Sequence, residues 1–303
     1  SNDFSIRPEQ RDGRWEDVFT NRDAIHAAIS EDDGISWKGF RELYLNPLRN
    51  ESDFATRGGK DVSLDRSVHQ SQAVELPGGK VLVALGQHPL VRALLIFDPD
   101  WLYESERADS FICGLSGWST HKYVEGIKGH CAYDRKPGPA LVEHPDIPGR
   151  KALNIRHPLD STLVCDIDGA LWNFPAARSG EFSTRIYLKP GGSGGRISLI
   201  DRWFNPTDTL ACRYAMYVLE FDGEGRAGGR NVLTPGQWCE LSFEWSDTRT
   251  GSCRLKVDNG QVQPDLPLVF PSVNGVSYVQ FQGANHEDTA GFLVERVRAR
   301  SND

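Results

Sequence analysis

The chain has 303 residues, 39% of them hydrophobic and 25% charged, with 8 tryptophans, 1 methionine and a formal net charge of -8. That length allows one large or two ordinary domains, and the balance is globular rather than disordered. No lysine or arginine run is present to answer a nucleic-acid backbone, and no apolar stretch reaches the roughly 18 residues of a membrane-crossing helix.

Thirty glycines and seventeen prolines are scattered through the chain, the composition of many short strands joined by tight turns. The six cysteines (Cys113, Cys131, Cys165, Cys212, Cys239, Cys253) form no C-x-x-C pair, which argues against zinc and redox roles and leaves both disulfides and buried free thiols open. The sequence opens Ser1-Asn2-Asp3 without methionine or a signal pattern, so the natural N-terminus is expected to have been removed.

In chain order, strands are predicted at residues 24–30 and 39–45, with Asp32-Asp33-Gly34 turning between them. A loop at 46–65 leads to a three-strand series at 68–76, 80–86 and 93–97, whose first turn is Pro77-Gly78-Gly79. Gln72, Val74 and Leu76 alternate with Ala73 and Glu75, the period of a sheet, and the whole reads as propeller blades. Alternation stops between Pro99 and about Gly117, which divides the chain into residues 1–108 and 109–303. Beyond it, strands at 152–155, 163–167, 180–188, 196–203, 213–221, 237–245, 251–257, 277–282 and 292–299 predict a β-sandwich or jelly roll.

The sharpest local pattern is Ser30-Glu31-Asp32-Asp33-Gly34-Ile35-Ser36-Trp37, an Asp-box with serine in place of threonine. Its physics is structural: the aspartate accepts backbone N–H groups across a turn, the glycine takes positive φ, and the tryptophan covers the turn. With Asp65-Arg66-Ser67-Val68-His69-Gln70, Glu75-Leu76-Pro77-Gly78-Gly79-Lys80 and Phe97-Asp98-Pro99-Asp100-Trp101-Leu102, about the first third of the chain resembles the sialidase-like (BNR, or Asp-box) superfamily. Leu233-Thr234-Pro235-Gly236-Gln237-Trp238-Cys239-Glu240-Leu241 and Cys253-Arg254-Leu255-Lys256-Val257-Asp258-Asn259-Gly260 resemble the concanavalin-like or laminin-G-like sandwiches appended to glycosidases.

These resemblances imply an all-β chain: part of a six-bladed sialidase-type propeller, about two blades, followed by a concanavalin-like sandwich. Two blades close no ring, so the remaining blades are expected on a longer chain or a partner fragment. The implied activity is glycoside hydrolysis at a terminal, acidic sugar of a glycan, in a periplasmic or extracellular setting. The alternatives are a non-catalytic carbohydrate-binding or structural module and a propeller-type polysaccharide lyase with His69 as base. Sialidases use an arginine triad, an aspartate acid/base and a tyrosine nucleophile with a glutamate. No tyrosine–glutamate pair is identifiable from this sequence.

Polar residues at strand starts are the candidates on this chain: His69, Arg22 and Asp23 for catalysis, and Gln70, Arg66, Asp65, His88 and Arg92 for sugar binding, the arginines suiting a sugar carboxylate. His26 reads as a structural histidine. Trp172, Trp203, Phe204 and Tyr214 offer either a sugar-stacking platform or core. No cofactor is implied; a structural calcium among Asp201, Asp208, Asp222 and Glu224 is left open, and Gly191-Gly192-Ser193-Gly194-Gly195 reads as a hairpin loop. An oligosaccharide or polysaccharide is the expected partner, with no nucleic acid and no membrane span.

Overall fold

A computed structural model describes residues 24–51, 68, 71–86, 92–123, 135–158, 167–208 and 211–303. Among them the chain is all-β, and no helix is long and apolar enough to cross a membrane. It begins with a hairpin, β1 (Ala24–Ile29) and β2 (Lys38–Leu45), followed by a meander of β3 (Gln72–Glu75), β4 (Val81–Leu85) and β5 (Ala93–Phe97). A 3-10 turn at Pro99–Tyr103, capped by the Asp98 carboxylate on the Asp100 amide, leads out of the meander.

The strands that follow are β6 (Glu106–Asp109), β7 (Trp118–Ser119), β8 (Lys122–Tyr123), β9 (Arg135–Lys136), β10 (Leu141–Glu143) and β11 (Lys151–His157). Next come β12 (Gly169–Ala177), β13 (Gly180–Leu188), β14 (Gly194–Ile200), β15 (Tyr217–Asp222), β16 (Arg226–Ala227) and β17 (Arg230–Asn231). The last are β18 (Trp238–Trp245), β19 (Cys253–Val257), β20 (Gly260–Leu266), β21 (Val276–Gly283) and β22 (Asp288–Ser301).

They build two antiparallel sheets. The larger runs β10-β11-β22-β13-β18-β19-β20, with β6 beside the C-terminal half of β22; the smaller runs β15-β14-β21-β12-β7. Alternation decides what lies between them. In β13, Phe182, Thr184, Ile186 and Leu188 point inward, and from the smaller sheet Trp172, Phe174, Ile197, Leu199, Val279 and Phe281 point back. The interior is aromatic, with Trp118 stacked on Trp172 at 6.0 Å and Phe174 on Phe182 at 5.9 Å. Each such side chain contributes about 2–3 kcal/mol through burial.

The expected strands 180–188, 237–245, 251–257, 277–282 and 292–299 correspond to β13, β18, β19, β21 and β22. The stretch expected at 196–203 ends as strand at Ile200, and the one at 213–221 begins as a 3-10 turn, Ala211–Tyr214, before β15. Of the strand expected at 163–167 only Ile167 is described, and it lies outside a strand. Sequence patterning missed β12, at the centre of the smaller sheet. All but one of its residues are buried, so it shows no alternation, and Pro175 sits where the register with β21 breaks between Asn173 and Ala177.

The N-terminal strands stack in layers on the sandwich. One face of the meander, with Val81, Val83, Leu85, Ala93, Leu95 and Phe97, packs on Ile25, Leu43 and Tyr44 of the hairpin. The hairpin's other side, through Phe40, meets the outer face of the smaller sheet at Leu171, Ile200 and Tyr278. A bulge formed by Gly39 (φ 85°) and Phe40 (φ 49°) interrupts the hairpin ladder between Ala27 and Ile29. Beyond β2, Arg49 is buried and donates to the carbonyls of Asn46, Leu115, Ser116 and Trp118, while Asn50 exchanges bonds with Trp118 and Thr120. These contacts tie the hairpin's exit to the sandwich.

Candidate functional site

The turn of the first hairpin is held by one carboxylate. Asp32 accepts the Ser36 amide at 2.8 Å, the Ser36 hydroxyl at 2.6 Å and the Ser30 hydroxyl at 2.9 Å, and Ser30 Oγ accepts the Gly34 amide at 2.7 Å. Asp33 and Gly34 adopt positive φ, 54° and 86°. The Ser36 hydroxyl and amide hold the Asp32 pKa down to about 2. A carboxylate so fully occupied serves the turn and has no proton to give at neutral pH. Trp37 remains 62% exposed beside it.

Where the hairpin meets the sandwich, three titratable groups converge. The Tyr278 hydroxyl lies between His26 Nε2, at hydrogen-bond contact, and Glu42 Oε1 at 3.0 Å; the His26 ring stacks on Phe40 at 4.9 Å. The Glu42 amide donates to Asn173 Oδ1 at 3.0 Å, and Asn173 Nδ2 donates to the carbonyls of Phe40 and Ser277. Burial raises Glu42 to about 7 and lowers His26 to about 3, and burial together with the Glu42 charge pushes Tyr278 well above its ordinary value. This is a tyrosine–glutamate pair, but Tyr278 is fully buried and its shift opposes phenolate formation, so the geometry makes it a joint between layers.

Most sequence-predicted site residues, namely Arg22, Asp23, Asp65, Arg66, His69, Gln70 and His88, lie outside the described residues. Arg92 is described: it is exposed at the start of β5 and lines a cleft of about 340 Å³ with Gln72, Leu85, Gly86 and Leu94. His26 takes the structural role expected of it, at the joint. Trp172, Trp203 and Phe204 are buried in the two aromatic clusters, and Tyr214 is half-buried against Phe204 and Phe270. Of their two roles, core holds.

Among the described residues no group of three or more His, Cys, Asp or Glu side chains is placed to hold a metal ion. Asp201 pairs with Arg202 and accepts the Ser272 hydroxyl, and Asp222 pairs with Arg226. Cys113, Cys239 and Cys253 are free thiols; Cys131 and Cys165 lie outside the described residues.

A second cleft, of about 290 Å³, opens at the end of the smaller sheet, between β14, β15 and the turn after β21. Register places Glu220, Arg196 and Gln282 in one cross-strand row on the sheet's outer face, with Val218, Ser198 and Gln280 in the next. Arg196 Nη2 reaches Glu220 Oε1 at 3.4 Å and Asn285 Nδ2 reaches the same oxygen at 3.4 Å, both longer than an ordinary hydrogen bond. Gln280 and Gln282 donate through Nε2 to the carbonyls of Asn205, Pro206 and Asp208. Arg196 Nε, Ser198 Oγ, Gln280 Oε1 and Gln282 Oε1 are buried without a hydrogen-bond partner. Each such atom left without a partner costs about 1–3 kcal/mol, so water or a ligand is expected to reach this row.

Sequence reading did not single out this row. The signal was present: Arg196-Ile197-Ser198-Leu199 and Tyr278-Val279-Gln280-Phe281-Gln282 alternate polar with apolar, placing amides, hydroxyl and guanidinium on the face turned away from the core.

No family model matches the chain, and no curated protein matches it. Solved structures similar to it include a cleaved adhesin domain of Lys-gingipain from Porphyromonas gingivalis, at TM-score 0.38 and 15% identity over 66% of this chain and 100% of that one. A cellulose-induced protein matches at TM-score 0.40 and 11% identity, covering 65% of this chain and 97% of that one. The sialidase of Trypanosoma rangeli matches at TM-score 0.35 and 10% identity, over 77% of this chain and 43% of the sialidase. At these scores none of the three decides what this chain does.

Proposed function

We propose that this chain is part of a secreted glycan-processing protein, a glycoside hydrolase acting on a terminal acidic sugar, with a sialidase-type propeller segment at residues 1–108 and a lectin-like sandwich at 109–303. The observation that supports it most is the stacking of the β3-β4-β5 meander. One face lies on the hairpin, and the opposite face presents Val74, Leu94 and Ile96 at 56%, 74% and 58% exposure, in register around Leu82 and Ala84. A sheet apolar on both faces is built to stand between two other layers. Further blades, on the same polypeptide or a partner fragment, suit the bare face. The Asp32 turn supports the same reading, since it puts an Asp-box hairpin next to that sheet.

In this reading His69, Arg22 and Asp23 act on the sugar, and Gln70, Arg66, Asp65, His88 and Arg92 bind it. Arg92, beside its cleft at the end of β5, is the described member of that set. The chemistry requires no cofactor. Product analysis tests the proposal: the native protein, incubated with oligosaccharides ending in N-acetylneuraminate or glucuronate, releases the free acid and a new sugar terminus. An unsaturated uronate absorbing in the ultraviolet would identify a lyase instead, and saturable binding without any product would identify a non-catalytic module.

A further inference from the structure

We infer that the edge cleft of the sandwich is a binding site for an uncharged glycosyl residue, contacted by Arg196, Glu220 and Asn285. The site is separate from the residues proposed for catalysis and stands on the sandwich alone. Its lining includes two cations, Arg196 and Arg226, and two anions, Glu220 and Asp222. One pair is already closed, because Arg226 Nε donates to Asp222 Oδ2 at 3.0 Å while Asp222 Oδ1 accepts the Glu224 and Arg226 amides. The other pair is longer. Arg196 and Asn285 both lean on Glu220 Oε1 at 3.4 Å, and the Glu220 side chain is 60% exposed.

Arg196 is the built element of the site. Its side chain is 9% exposed, held in the cross-strand row between Glu220 and Gln282, and its Nε has no partner. At the cleft, Arg196 Nη2 and Asn285 Nδ2 are donors held on long bonds beside a carboxylate with acceptor capacity to spare, which is what adjacent hydroxyls need: donors to their lone pairs and an acceptor for their protons. With two cations balanced by two anions, the lining has no net charge to draw a sugar carboxylate, which favours an uncharged ligand. The cleft is at the lower end of the range for small-molecule sites, about 300–1,000 Å³, which suits one or two sugar rings.

The test is titration of the isotope-labelled native protein with methyl β-D-glucoside, methyl β-D-galactoside and methyl α-D-mannoside, and separately with sodium glucuronate, following backbone amide shifts. The expected result is saturable shifts at Arg196, Glu220, Asp222 and Asn285 with at least one neutral glycoside and none there with glucuronate. Glu220→Gln and Asn285→Ala, both at exposed positions, should each weaken that binding about tenfold, the loss expected for a hydrogen bond to a charged group. Arg196→Lys should weaken it more. Shifts with none of the neutral glycosides, binding of glucuronate at these amides, or unchanged affinity in Glu220→Gln and Asn285→Ala would each overturn the proposal.

Discussion

The Tyr278 hydroxyl donates to Glu42 Oε1 at 3.0 Å across 236 residues of sequence, and this contact joins the first hairpin to the outer face of the sandwich. His26 Nε2 closes on the same hydroxyl from the other side. Tyr278→Phe removes the middle of that chain and leaves the half-buried His26 and Glu42 facing a ring edge. A loss of about 1–3 kcal/mol in urea unfolding is expected, with β1 and β2 amides losing exchange protection before those of β13 and β22. Equal loss of protection in all four strands would contradict a local joint.

The joint also sets a pH dependence. Burial raises Glu42 to about 7, so its contribution is fully present below its ordinary value of 4.5 and is lost as pH rises through 7. Burial lowers His26 from 6.5 to about 3, so its contribution is present above 6.5 and lost as pH falls through 3. The two slopes oppose each other between pH 4.5 and 6.5, where stability should be flat. Glu42→Gln removes one slope, and unfolding measured across that window should then show stability rising with pH.

Asp32→Ala should open the turn at 30–36 without unfolding the rest, because the carboxylate is only half-buried and its side-chain partners, Ser30 and Ser36, lie within the turn. Hydrogen exchange at the Gly34 and Ser36 amides should accelerate while the β18 amides stay unchanged. In the parent protein the same amides should lose protection only as pH falls from the ordinary aspartate range toward about 2, since the lowered pKa keeps the carboxylate charged above it.

Lys122 and Asp168 form an ion pair at 2.9 Å with both side chains nearly inaccessible, and Asp168 Oδ2 also accepts the Arg156 amide at 3.0 Å. Asp168→Ala takes the carboxylate from a buried lysine and frees the Arg156 amide, so a loss of about 3–5 kcal/mol is expected. Asp168→Asn keeps the shape and the bond to Arg156 and should lose less. Denaturant midpoints of the two variants check the order.

The sheet alternation that predicts β13 and β18 is legible because each strand has one face in the core and one turned away: Phe182, Thr184 and Ile186 against Glu181, Ser183 and Arg185. The Asp32 turn was legible for a similar reason, since its partners lie within a few residues. β12 was not, because its neighbours bury both faces and erase the pattern. The Arg196 row was missed because three strands distant in sequence assemble it, and only register reveals that Glu220, Arg196 and Gln282 are side by side. The same distance hid Glu42 and Tyr278.

The bare face of the meander gives a separate expectation. Leu94→Lys and Ile96→Lys place charges where the layered reading expects another blade. In the native protein these variants should lower the unfolding midpoint or release a partner fragment in size-exclusion chromatography. Both variants behaving as the parent does, within about 0.5 kcal/mol as for an ordinary surface site, would show the face to be uncovered.

The most direct test of the account is the rate at which the native protein cleaves 4-methylumbelliferyl N-acetylneuraminate and 4-methylumbelliferyl glucuronide, compared with its His69→Ala variant. Turnover of at least one substrate, falling about 100-fold or more in the variant as for loss of a general acid or base, is the predicted result. Cleavage of neither, or equal rates in parent and variant, would contradict it.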